Sequence, residues 1–259
     1  MTPSKAKDSK ASKRHTMAQD KKPFIDKGHY TREVRPSGDG VVSVPSGESF
    51  SKVFILDTPE TASLPIRSIE AGEGSKVDIC IIVLPGVDAD IPLDVFLDGE
   101  WAQISLSGIY LCDKKENVSF RTQVHHVKGN CISDQKFNGI ASGKASASFF
   151  GRIVVAPDAQ KTEAYQSNRN ILLSYDAKVN TKPQLEIYAD DVKCSHGATT
   201  GRLDENEQFY MRSRGIPEKE AMVLQMISFI SPVIDHISDP VLKEDVSERI
   251  EKAIRGMVK

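Results

Sequence analysis

Between residues 41 and 198 apolar and polar positions alternate in short runs of period two. Val77, Ile79 and Ile81 alternate with polar partners, as do Val95 and Leu97, Ile104 and Leu106, Ile109 and Leu111, and Val118 and Phe120. In an extended chain residues two apart share a face, so each run predicts a strand with one buried side. Further strands are predicted over residues 152–155, 170–173 and 185–188, with polar turns at Asp158-Ala159 and Tyr175-Asp176. Many short strands at such spacing predict a sandwich, a barrel or a coiled solenoid. Tight hairpin signals are sparse, at Asp39-Gly40, Asp98-Gly99 and Asn138-Gly139. That scarcity favours stacked parallel coils over a meander of hairpins.

The period changes after Gly201. Asp204 reads as an N-cap with Glu207 at the third helical position, an aspartate version of the capping box, and the short helix it opens closes at Gly215. Pro217 suits the first turn of a second helix, whose apolar run over residues 221–230 leaves little polar face. Pro232 is expected to kink or end it. Asp239 and Pro240 start a third helix that aligns Leu242, Val246, Ile250, Ala253 and Ile254. The domain reading is therefore residues 1–40 as a basic, largely disordered segment, 41–203 as the β body and 204–259 as a helical domain.

Composition adds little to the fold and more to the partners. Of 259 residues, 39% are hydrophobic and 27% charged, ordinary values for a soluble protein. The apolar run over residues 221–230 is far below the roughly 20 residues a bilayer requires, so no membrane partner is expected. Residues 1–36 hold ten Lys and Arg against four Asp and Glu, leaving 24 against 32 for the rest. The basic segment has no interleaved aromatic residues for stacking, which argues against nucleic acid. Four cysteines without CxxC spacing, and no secretory signal, point to a reduced, cytoplasmic protein.

Most candidate chemistry dissolves on inspection. The segment 139–145 resembles a P-loop but has three residues between its glycines instead of four, and Ala145 replaces the Mg2+-binding hydroxyl. No nucleotide is expected on this chain. His125 and His126 face opposite sides of a strand, one packed and one exposed. Asp190-Asp191 reads as a solvated turn and His236 as structural. Cys194 and His196 are different: two residues apart in a β-like stretch, they share a face with Cα atoms roughly 6 to 7 Å apart. A thiol and an imidazole so placed can approach one metal or cluster, but two ligands do not complete a site. A packed cysteine beside a hydrogen-bonded histidine is the plain alternative.

Residues 181–199 (TKPQLEIYADDVKCSHGAT), extended by 201–204 (GRLD) and 209–216 (FYMRSRGI) and preceded by 168–173 (NRNILL), closely resemble the signature of the SufB/SufD scaffold family of the Suf iron-sulfur cluster assembly system. The resemblance implies a right-handed parallel β-helix followed by a C-terminal helical domain, and a scaffold with no catalysis of its own. In that family SufB and SufD pair through the β-helix ends, each binds a SufC ATPase through its C-terminal helices, and a nascent cluster forms between them. SufB carries a His-Glu pair where His196 is here followed by Gly197, which places the chain on the SufD side. Carried over to this sequence, the resemblance implies His196 and Cys194 as ligands of a transient iron-sulfur cluster, passed on to apo iron-sulfur proteins. It implies Phe209, Tyr210, Arg212, Arg214 and Gly215 in the contact with the ATPase. Family members usually carry a sizeable helical domain ahead of the β-helix, where here only about 40 mostly polar residues stand. The alternatives are a stand-alone homo-oligomeric scaffold and a purely structural organiser of the complex. A carbohydrate-active β-helix would want aromatic platforms and carboxylate ladders, and one Trp with no such ladder argues against it.

Overall fold

The computed structural model describes residues 39–258. Up to residue 38, the segment expected to be disordered lies outside them. Twelve strands come first: β1 (Val41–Val44), β2 (Ser49–Leu56), β3 (Ser68–Ala71), β4 (Lys76–Val83), β5 (Ala89–Leu97), β6 (Gln103–Cys112), β7 (Asn117–His126), β8 (Ile132–Ala141), β9 (Ser146–Val155), β10 (Glu163–Leu172), β11 (Lys178–Ile187) and β12 (Lys193–Gly201). They form two six-stranded parallel sheets, in the orders β1-β3-β5-β7-β9-β11 and β12-β10-β8-β6-β4-β2. Successive strands alternate between the sheets, so the chain winds as a β-solenoid of about six turns. Three helices follow: α1 (Glu205–Ser213), α2 (Glu218–Ile234) and α3 (Pro240–Met257).

The turns are stacked as regularly as the strands. Gly47, Gly74, Trp101, Asn130 and Lys161 recur every 27 to 31 residues, and all have positive φ, between 59° and 73°. Each amide donates to a carbonyl of the next coil: Gly47 to Glu73, Gly74 to Glu100, Trp101 to Gly129, Asn130 to Gln160 and Lys161 to Asp191. Three of the five residues carry a Cβ in the left-handed region, which costs conformational energy that the inter-coil bond offsets.

Between the sheets the side chains interdigitate. Rings from both sheets meet along the axis, Phe120 edge-on to Phe137 at 5.3 Å and Phe137 tilted against Phe149 at 4.8 Å between centroids. Gly108 faces Phe137, whose ring fills the space a Cβ would need. Along this interior the lining changes character. In one column of aligned residues Ile79 and Leu106 give way to Gln135, Gln166 and His196. In the next, Ile81 and Gly108 lead through Phe137 to Asn168. In these two columns the first coils are oily and the last are polar.

The helices cover the outer face of the sheet that contains β2 and β12. Val53, Ile55, Cys80, Ile82, Ile109, Leu111, Ile140 and Ile171 pack there with Met226, Ile230, Val233, Leu242, Val246, Ile250 and Ile254. This explains why Ile104/Leu106 and Ile109/Leu111 read as separate runs in the sequence although both lie in β6. The first pair faces the interior and the second faces the helices. Asn138 on β8 donates to the Phe229 carbonyl at 2.6 Å, and Arg169 on β10 lies over the Phe229 ring. Pro232 stays inside α2, two residues before its end. It removes the amide that would reach the Ser228 carbonyl, and the Ser231 hydroxyl donates there at 3.0 Å.

Among the remaining sequence expectations, Asp204 caps α1 by accepting from the amides of Asn206 and Glu207. Glu207 does not turn back on the cap as a capping box would require; its carboxylate takes the Gln225 amide and so ties α1 to α2. Pro217 stands at the N-cap of α2, one position outside its first turn. The P-loop-like segment is the end of β8 and the turn into β9. His126 is buried against the Ser133 hydroxyl while His125 stacks on Phe96 on the opposite face. His236 lies just beyond the C-cap of α2 and meets the Lys136 ammonium at 3.1 Å.

Candidate functional site

Among the described residues the last coil ends the solenoid with two unpaired edges. β11 and β12 are terminal in their sheets, so among the described residues no further coil covers the interior above them. Cys194 aligns with Ala164 and His196 with Gln166, and both neighbours are buried between the sheets. By the period of two, Cys194 and His196 therefore belong to the inward face of the last coil. Opposite them β11 aligns Thr181 with Phe149, Pro183 with Gly151 and Leu185 with Ile153.

The two residues differ in environment. Cys194 is half-buried on a small cluster of Ile153, Val155, Ala159, Ala164 and Ala189, joined by Leu185 and Val192. That burial pushes its thiol above the usual range, opposed by a hydrogen bond with the Ala164 backbone. At neutral pH it is a protonated thiol and must lose its proton to ligate a metal. His196 is exposed. The structure thus brings a sulfur and a nitrogen donor to one face of one strand, at a rim. Among the described residues no three His, Cys, Asp or Glu side chains gather as a metal site, so the pair is a partial donor set.

Beneath this pair lie residues that sequence reading missed. Gln166 donates from Nε2 to Gln135 Oε1 at 3.1 Å, and Thr122 Oγ1 stands 3.4 Å from the same oxygen. Asn168 donates to the Tyr110 hydroxyl, Tyr110 donates to Asn170 Oδ1, and Asn170 donates to Asn168 Oδ1 and to the Thr199 carbonyl in β12. Gln166, Asn168 and Asn170 occupy every second position of β10, all on the buried face. That spacing was the available signal. Its force was masked because the intervening Tyr165, Ser167 and Arg169 are also largely polar.

The other sequence-predicted residues lie on α1, its C-cap Arg214 and the following Gly215, apart from the pair on β12. No residue of α1 is buried. Phe209 is 73% exposed and Tyr210 60%, a large aromatic display for a helix of nine residues. Arg214 lies over the Tyr210 ring at 5.3 Å, Arg212 is 3.9 Å from Glu218, and Gly215 closes the helix at φ 87°. Tyr210 and Met211 face Leu224 and Gln225 across a groove between α1 and α2. No helix among the described residues is long and apolar enough to cross a membrane.

Residues 55–229, more than half of the chain, match the family described as SUF system FeS cluster assembly, SufBD core domain. The chain is 42% identical over 160 residues to the iron-sulfur cluster assembly protein SufD of Escherichia coli, a match that covers 62% of this chain and 38% of that protein. It is 45% identical over 132 residues to an iron-sulfur cluster assembly SufBD family protein of Synechocystis, covering 51% of this chain and 28% of the relative. A chloroplastic protein of Arabidopsis thaliana is 38% identical over 148 residues, covering 56% and 31%. The matches thus span well under half the length of each of these relatives.

Proposed function

The chain belongs to the SufBD core family of the SUF iron-sulfur cluster assembly system, and from that premise we propose that it is a SufD-like scaffold subunit, holding part of a nascent cluster at the open end of its solenoid. The observation that carries this reading is the inward-facing Cys194 and His196 on a strand that is terminal in its sheet among the described residues. A thiolate and an imidazole are suitable donors for iron, and a rim position lets a second chain supply the rest. A scaffold that must release its product gains from such a divided ligand set, because separating the chains removes half of the ligands at once.

In this reading a SufB-like paralogue sits on the open end. A SufC-like ATPase takes the exposed aromatic face of α1 with Phe209, Tyr210, Arg212, Arg214 and Gly215. Nucleotide hydrolysis belongs to that partner, the cluster is cargo for apo iron-sulfur proteins, and the setting is the cytoplasm. Aromatic and arginine side chains anchor protein interfaces more often than other types, and α1 concentrates both. Co-purification from the native host, followed by reconstitution with iron, sulfide and thiol, tests the assignment. The expected result is a stable complex with both partners and a cluster that forms only when the SufB-like chain is present. A chain that pairs with itself and builds a cluster alone overturns the heteromeric assignment in favour of a homo-oligomeric scaffold.

A further inference from the structure

The buried amide of Gln166 has one bonded end and one free end. Its residue is 3% exposed, its Nε2 donates to Gln135 Oε1, and among the described residues its Oε1 has no partner. The Gln135 bond directs the nitrogen toward the preceding coil, and an amide holds its oxygen on the other flank. The neighbour on that other side, in direct register on the adjacent parallel strand, is His196. Strands so paired lie roughly 4.8 Å apart, within reach of a hydrogen bond between an amide and an imidazole on the same face. Space for the amide comes from Gly151 across the interior, where a Cβ would stand 2.5 to 2.7 Å from the Gln166 amide atoms. A buried acceptor without a donor costs free energy unless something donates to it. Among the described residues Gln135 Nε2 and Thr181 Oγ1 are also buried without a partner, but neither is the register neighbour of Gln166 on β12, and Pro183, which aligns with Gly151, has no amide hydrogen to offer.

We propose that Gln166 is a positioning residue for His196, accepting the N–H of one imidazole nitrogen on Oε1 and so leaving the other nitrogen bare to meet iron. The inference rests on reading His196 as a cluster ligand. Metal-binding histidines depend on such a partner, since the bond at one ring nitrogen decides which tautomer presents a lone pair at the other. Here the partner belongs to the fold itself, through Gln135 and the small residue at 151.

The test is a two-bond 1H–15N correlation spectrum of the full chain labelled with 15N-histidine, with the His196 signals identified by their loss in His196→Ala. Wild type is expected to show one dominant His196 tautomer. Gln166→Met keeps the volume and removes the acceptor, and is expected to shift the tautomer ratio by about fivefold, the worth of one hydrogen bond. Gly151→Ala is expected to do the same by displacing the amide, which keeps the test open should Gln166→Met fail to fold. Thr122→Val, one bond further down the ladder, should leave the ratio as in wild type. An unchanged ratio in both Gln166→Met and Gly151→Ala overturns the proposal, even if His196→Ala abolishes iron retention. A shifted ratio with full iron retention in His196→Ala upholds the positioning contact and overturns the ligand reading instead.

Discussion

Burial sorts the four thiols of this chain into different chemical classes. Cys80 and Cys112 are pushed up to about 12 by desolvation, and Cys131 is raised by the same cause. Cys194 is raised too, but is the one of the four that is not fully buried. A thiol-alkylating reagent on the native chain is expected to modify Cys194 alone, slowly at neutral pH and faster above pH 9, with all four modified after unfolding. Mass spectrometry counts the adducts. Native labelling of Cys80 would contradict the helical cover over the outer sheet face. His126 offers a second test, because burial lowers its ring from 6.5 to about 4. Above 6.5 both folded and unfolded chains hold it neutral and the stability is intact. As pH falls from 6.5 toward 4 the unfolded chain takes up a proton that the folded chain refuses, so stability is lost, on the order of 3 kcal/mol. Urea titrations of wild type and His126→Gln at pH 7.5 and 4.5 should show the wild type losing more. At this scale the Cys-x-His pair was legible, since spacing alone puts both on one face. Gln166 was not, because its register neighbour His196 lies 30 positions away in the next coil and only the strand pairing brings them side by side.

Elements here are held by turn geometry and by what each strand faces. Lys114 adopts φ 55° in the turn between β6 and β7, where a Cβ is strained. Lys114→Gly is expected to raise stability by up to about 1 kcal/mol, read as a higher urea midpoint with unchanged slope. Gly139 stands against the Tyr110 ring and the Asn170 side chain, so a methyl there would overlap both. Gly139→Ala is expected to destabilise by about 2 to 3 kcal/mol through overpacking, read in the same titration. The strands themselves were legible from alternation, and the helix starts from Asp204 and Asp239, whose carboxylates do accept the first-turn amides. The turn column was harder to read. Trp101, Asn130 and Lys161 take a conformation usually signalled by glycine, and what holds them is a bond to the next coil.

At the scale of the molecule, scarcity of hairpin signals was enough to favour parallel coils over a meander, and the family resemblance agreed. The change from an oily to a polar interior was hidden, because it emerges only when β4, β6, β8, β10 and β12 are laid in register. That change gives the solenoid a direction. One end is a hydrophobic core, and the other is an open end that carries Cys194 and His196, while the exposed aromatics lie apart from them on α1. A scaffold that shares a cluster between chains needs such an asymmetry, with stability at one end and replaceable contacts at the other. The most direct test is the iron and sulfide content of the complex reconstituted with the SufB-like and SufC-like partners, with wild type set against His196→Ala. The account predicts that the variant still assembles the complex but loses most of its iron and sulfide. An equal content in the two would contradict it.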